Sequence, residues 1–190
     1  MNTLKNKNYY YFCKILTESI KKNILKYPHI NIIYYDNNPS ILDKNLQAVS
    51  TFCKKYNIPF FIINNHLLAT KIKANGVYLE SINRNYKHLS NKKLIIIGSA
   101  HNQIEYFIKL RQKCNLIMFS PIFFNQKYSK YKTMGVIKFN LTIKFWKCQA
   151  GALGGINQKN LKYLRLVSSN NYGVISLIEN KPALETRAGF

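Results

Sequence analysis

The chain has 190 residues, 47% of them hydrophobic and 14% aromatic, with 29 Lys and Arg against 7 Asp and Glu for a formal charge of +22. That composition excludes a disordered chain and is sufficient for one domain, residues 1–190, with a real core. It holds no apolar run long enough to span a bilayer, and residues 1–8 lack the apolar core and small-residue site of a secretory leader, so a cytoplasmic protein is expected.

Residues 9–16 read as a first strand and 17–26 as a short polar helix. A second strand covers 30–35. Ser40, with Asp43 three residues on, makes an approximate capping box for a helix whose Leu46, Val49, Phe52 and Cys53 share one face. Pro59 precedes a third strand at 60–63, and a short helix is expected over 67–73. The fourth and fifth strands are residues 76–79 and 94–97. Asn102 then opens a helix with Ile104, Phe107, Ile108 and Arg111 in a row. A sixth strand, 115–119, runs into a long Lys- and Tyr-rich loop over 120–134. A helix over 137–147, a seventh strand over 148–153, a helix marked by Leu161, Leu164 and Val167, and an eighth strand over 172–176 complete the series.

Eight short apolar runs alternating with helical stretches imply a parallel sheet covered on both faces. Eight units point to a small (β/α)8 TIM barrel, with a doubly wound open sheet as the structural alternative. In either fold ligands bind where the strands end. The pair Gly154-Gly155 follows the seventh strand, and two adjacent glycines let the backbone turn sharply and approach a ligand closely. Asn157 is read as the N-cap of the next helix, whose bare amides and partial positive charge suit a phosphate.

The lysines are spread along the chain without a dense block, and Asn, Ile, Tyr and Lys are abundant together, as an AT-rich coding sequence produces. No nucleic-acid-binding motif accompanies the charge, so nucleic acid is not expected as a partner. Cys13, Cys53, Cys114 and Cys148 form no C-x-x-C pair, so free thiols are expected rather than a zinc site. His29, His66 and His88 share no metal-site spacing; His101, at the start of a helix, is expected to cap or support.

Several strand ends resemble one family. Residues 58–65, Ile-Pro-Phe-Phe-Ile-Ile-Asn-Asn, followed by Ala74-Asn75-Gly76-Val77-Tyr78-Leu79, resemble the thiamine phosphate synthase pattern Ile-Ile-Asn-Asp and Ala-Asp-Gly-Val-His-Leu. Gly98-Ser99-Ala100-His101 is similar to its Val-Ser-Ala-His, Ser120-Pro121-Ile122-Phe123 to its Gly-Pro-Ile-Phe, Ala152-Leu153-Gly154-Gly155-Ile156 to its Ala-Ile-Gly-Gly-Ile, and Val174-Ile175-Ser176 to its Val-Ile-Ser. The order holds from about residue 58 to 178, so the chain resembles the thiamine phosphate synthase/TenI family.

The resemblance implies a (β/α)8 barrel that couples an aminopyrimidine diphosphate to a thiazole phosphate with loss of pyrophosphate. It implies that Gly154, Gly155, Ile175 and Ser176 hold the thiazole phosphate, that Asn64 contacts substrate and that Ser99 lies near the pyrophosphate. Lys127, Lys130 or Lys132 would replace the family's pyrophosphate lysine. The expected partners are small-molecule phosphates. The family's magnesium-binding Asp positions fall on Asn65 and Asn83, and an amide is a poorer ligand for Mg²⁺ than a carboxylate. Glu80 is the nearby acid. The family's Gln-Leu-Arg-Glu-Lys after strand two is here Ile33-Tyr34-Tyr35-Asp36-Asn37, without either basic group, and Pro121 replaces the tautomerase branch's His. The pattern is nearest a divergent branch with an aromatic second strand. The same erosion leaves a catalytically silent barrel that binds a thiazole or thiamine phosphate as the alternative.

Overall fold

In the computed structural model, residues 7–36, 40–124, 133–146 and 148–179 are described. The apolar runs become β1 (Asn8–Cys13), β2 (Ile30–Tyr34), β3 (Phe60–Ile63), β4 (Gly76–Leu79), β5 (Ile95–Ala100), β6 (Leu116–Phe119), β7 (Ala150–Ala152) and β8 (Asn171–Gly173). Each pairs in parallel with the next. Pairing of Asn8 with Asn171, Tyr9 with Tyr172 and Tyr10 with Gly173 joins the last strand to the first and closes the barrel, which excludes the open sheet.

Strand side chains alternate between two apolar environments. Tyr10, Ile33, Phe61, Ile63, Tyr78, Ile97, Leu116 and Met118 fill the barrel interior. Tyr9, Tyr11, Ile32, Tyr34, Ile62, Val77, Ile96, Ile117 and Phe119 face the surrounding helices and loops. Both sides of each strand are therefore dry, and near-continuous apolar runs are what such strands require. β7 and β8 use glycine to fit. A Cβ on Gly151 would lie 2.1 Å from Met118 Sδ, and one on Gly173 2.2 Å from Leu153 Cδ1.

The outer layer consists of α1 (Glu18–Ile24), α2 (Lys44–Lys55), α3 (His66–Lys71), α4 (Gln103–Arg111), α5 (Gly135–Trp146) and α6 (Ile175–Ile178), with 3₁₀ turns at Lys87–Ser90 and Leu161–Leu166. Leu46, Val49, Phe52 and Cys53 form the buried face of α2, as their spacing requires. Its start differs from the capping-box reading. Asp43, not Ser40, is the N-cap, its Oδ1 accepting the Asn45 amide at 2.8 Å.

Three other expectations are corrected. The segment with Leu161, Leu164 and Val167 is a 3₁₀ turn, not an α-helix. Those residues are spaced by three throughout, the repeat that aligns side chains on a 3₁₀ helix. Asn157 caps no α-helix; its Oδ1 accepts the amides of Lys159 and Asn160 within a turn. β8 ends at Gly173, so Ile175 and Ser176 open the short helix α6 instead of extending a strand. Cys13, Cys53, Cys114 and Cys148 are free thiols. Burial pushes the first three up to about 12, so they stay protonated at neutral pH. Among the described residues no helix is long and apolar enough to cross a membrane.

Candidate active site

The carboxyl ends of the eight strands surround one mouth, and its two halves are built differently. On one side, β7 and β8 are neighbours through Ala152 and Tyr172. Beyond β7 the chain turns through Gly154 (φ +89) and Gly155 (φ +74), left-handed conformations that favour glycine. The turn is clamped by the segment after β6. Ile122 N donates to Leu153 O at 2.9 Å and Phe123 N to Gly154 O at 3.1 Å. A Cβ on Gly155 would lie 2.3 Å from Phe123 O. The close approach that demands glycine here is therefore made by the protein's own backbone. Asn157 and Asn160 both donate side-chain hydrogen bonds to Gly155 O, at 3.1 and 2.7 Å, and hold the far side of the turn. Beyond β8, Ile175 and Ser176 are the first residues of α6, where backbone amides lack helical acceptors.

The other half is a network of neutral amides around one acid. Asn64 (φ 51) donates from Nδ2 to Glu80 Oε2 at 2.7 Å, and its Oδ1 accepts from Glu80 N at 3.1 Å and from Asn83 Nδ2 at 2.9 Å. The Tyr35 hydroxyl donates to Glu80 Oε1 at 3.0 Å. Phe12 packs edge-on against Tyr35 and Tyr78, with ring centroids 6.0 and 5.0 Å away. An aromatic wall thus lines this side of the mouth, with Tyr35 at one of the two positions where the family pattern has a basic side chain; the other, Asn37, lies outside the described residues.

Beneath this loop lies a cation that sequence reasoning missed. Lys109 of α4 is 0% exposed, and its Nζ donates to Glu80 O at 2.6 Å, Asn83 O at 3.0 Å and Gln112 Oε1 at 3.0 Å. Three acceptors match the three protons of an ammonium. Burial pulls its pKa down to about 8. Gln112, also fully buried, donates to Asn83 O at 3.2 Å and Asn85 O at 2.9 Å, while its own carbonyl meets His88 Nε2 at 2.9 Å. The lysine stem has room because β5 carries Gly98, where a Cβ would lie 2.8 Å from Lys109 Cδ.

The expected site residues are distributed as follows. Ser99 is buried in β5, two residues beyond the interior-facing Ile97, and so faces the same interior at the mouth. Asn64, Glu80 and Asn83 are brought together by the hydrogen bonds above. Asn65 is the N-cap of α3, its Oδ1 accepting the Leu68 amide at 2.9 Å. The His101 amide and Nδ1 both meet Glu105 Oε2, at 2.6 and 3.0 Å, which ties that histidine into the start of α4. Lys127, Lys130 and Lys132 lie outside the described residues.

The donor set does not fit a protein-held Mg²⁺, which asks for near-octahedral, hard, charged oxygen. The side-chain oxygens of Asn64, Asn65 and Asn83 already accept hydrogen bonds, from Glu80 N, Leu68 N and Asn85 N respectively. Among the described residues no group of three or more His, Cys, Asp and Glu could hold a metal ion. The chain has only seven acids. Glu18 and Asp36 pair with lysines, Asp43 caps α2, Glu105 meets His101, Glu179 meets Tyr11 and Glu185 lies outside the described residues. Glu80 alone remains at this half of the mouth.

A family model described as thiamine monophosphate synthase matches residues 14–178. A thiamine-phosphate synthase from Prochlorococcus marinus subsp. pastoris is 30% identical over 143 residues, 72% of this chain and 40% of that protein. One from Flavobacterium psychrophilum is 28% identical over 67% of this chain and 66% of its own length. The chain thus spans 40% of the first relative's length and just under two thirds of the second's. Among solved structures, a thiamine phosphate pyrophosphorylase from Pyrococcus furiosus superposes with a TM-score of 0.72 at 18% identity, covering 95% of this chain and 90% of that one. A 3-hexulose-6-phosphate synthase from Salmonella typhimurium gives 0.66 at 10% identity, a likeness of fold alone.

Proposed function

The chain belongs to the thiamine monophosphate synthase family, and on that premise we propose that it joins an aminopyrimidine diphosphate to a thiazole phosphate, in the cytoplasm, as one barrel domain over residues 1–190. In this reading the carbon–oxygen bond to the diphosphate breaks, and its electron pair leaves with pyrophosphate. The resulting pyrimidine methyl cation is captured by the lone pair of the thiazole nitrogen, forming the carbon–nitrogen bond. No side chain has to move a proton in that bond-forming step. The protein's work is alignment of the two rings and stabilisation of the departing charge.

The observation that carries the reading is the pairing of the turn at Gly154-Gly155 with the start of α6 at Ile175-Ser176, on adjacent strands, where barrels of this kind hold phosphate. These amides would take the thiazole phosphate. Ser99, Asn64 and the aromatic wall would face the pyrimidine diphosphate, and Lys127, Lys130 or Lys132 would meet its pyrophosphate. Magnesium is read as a companion of the diphosphate and not as a resident of Asn65 and Asn83, so no step is assigned to it.

The test supplies purified protein with both substrates and follows thiamine phosphate and pyrophosphate, which should appear in equal amounts. No product, with calorimetric binding of the thiazole phosphate intact, would replace this reading with that of a binding barrel, which the amide-for-carboxylate positions favour. Ser176→Asp places a carboxylate at the start of α6 and should weaken thiazole phosphate binding by about tenfold, a ~1.4 kcal/mol effect, with the melting temperature unchanged. Unaltered affinity would move the phosphate elsewhere.

A further inference from the structure

Family membership leaves open how the mouth half around Glu80 keeps its shape without a protein-held metal ion. We propose that Lys109 is a resident cation of this site, a positioning residue whose ammonium holds the loop after β4 in place of a divalent ion. The ammonium binds the Glu80 and Asn83 carbonyls from below. On the loop's other side, the Glu80 carboxylate is held by Tyr35 and Asn64, and the Asn83 side-chain amide by Asn64. One buried charge therefore ties α4 through the β4 loop to the ends of β2 and β3.

Three observations separate this from an ordinary buried lysine. Lys109 has a complete acceptor set, two of its three acceptors being carbonyls of the loop that carries Glu80 and Asn83. Gln112 extends the clamp to Asn85, and His88 Nε2 meets the Gln112 backbone oxygen, so the turn is held at Glu80, Asn83 and Asn85 by Lys109 and Gln112 from outside it. The ammonium also places positive charge directly under carbonyl oxygens, which lowers the affinity of the same loop for a second cation. A divalent ion is thus both unnecessary for order and disfavoured by charge.

The consequence for substrate rests on the synthase reading above: the half held by Lys109 faces the pyrimidine diphosphate, and the β7–β8 half faces the thiazole phosphate. Hydrogen exchange in the full chain tests the loop directly. The Glu80 and Asn85 amides, which donate to Asn64 Oδ1 and Asn83 Oδ1, should be equally protected in excess MgCl₂ and in EDTA. Lys109→Met should lower their protection by about tenfold or more, and magnesium should not restore it. Magnesium raising wild-type protection by about tenfold would overturn the proposal, as would Lys109→Met retaining full protection. The wild-type arm decides even if the variant does not fold.

In turnover, Lys109→Met should raise KM for the pyrimidine diphosphate by about tenfold and leave KM for the thiazole phosphate within about twofold. A purely structural defect would move both. If wild type makes no product, the synthase reading fails while the exchange result still decides the role of Lys109.

Discussion

At the residue scale, single side chains are asked to hold geometry more often than to do chemistry. Asp43 caps α2 and receives the Tyr34 hydroxyl. That hydroxyl first, then the Asn45 and Leu46 amides and Lys14, hold its carboxyl below the usual range. A carboxyl depressed in the fold adds stability above its unfolded pKa, near 3.8, and loses it as pH falls through the folded value. Asp43→Ala should therefore cost ~1 kcal/mol at neutral pH, and the gap to wild type should shrink below about pH 4. Urea unfolding between about pH 3 and 7 checks this; a gap independent of pH would contradict it. Gly155 teaches a different lesson. Adding any Cβ there strains φ and meets Phe123 O, so substitution at Gly155 reports packing before it reports phosphate. Ser176 is the cleaner probe.

At the element scale, α4 turns a lysine inward. Of its apolar residues Ile104 is 73% and Phe107 48% exposed and Ile108 is half-buried, while Tyr106, Lys109 and the C-cap Gln112 are buried. Periodicity in a sequence finds an apolar face, but it cannot foresee that loop carbonyls will supply acceptors for an inward lysine. The same limit applies to Leu161–Leu166, where a repeat of three fits either a helix face or the tighter 3₁₀ turn that forms. Strands were legible because their runs are apolar on both faces, and Gly76 marks where one needs bare backbone. A Cβ there would lie 1.9 Å from Ile95 O, within the β4–β5 pairing. Gly76→Ala should cost ~3 kcal/mol or more, read as a lower urea midpoint. An unchanged midpoint would mean that the barrel widens there without penalty.

At the scale of the whole molecule, 29 basic residues face 7 acidic ones. Among the described residues Lys14 pairs with Asp36 and Lys21 with Glu18, which leaves most of the basic side chains without an acid to match them. Self-repulsion should therefore weigh on the fold. Raising ionic strength from ~0.01 to ~0.15 M shortens the screening length from ~30 to ~8 Å, and the thermal midpoint should rise. A midpoint that falls or stays constant in a non-binding salt such as NaCl would show that the cations are already far enough apart.

By itself the sequence determined the eight apolar runs, the family, and the position of the Gly154-Gly155 turn in chain order, because these depend on local pattern and count; closure into a barrel was decided by the pairing of β1 with β8. Tertiary structure decided what surrounds each residue. Gly155 is glycine because Phe123 O lies against it. Asn65 serves α3 as a cap. Lys109, 26 residues beyond Asn83 in the chain, ends beneath the loop because β4 and β5 are neighbours. Burial and hydrogen-bond partnership are properties of the closed barrel, and no window of sequence contains them.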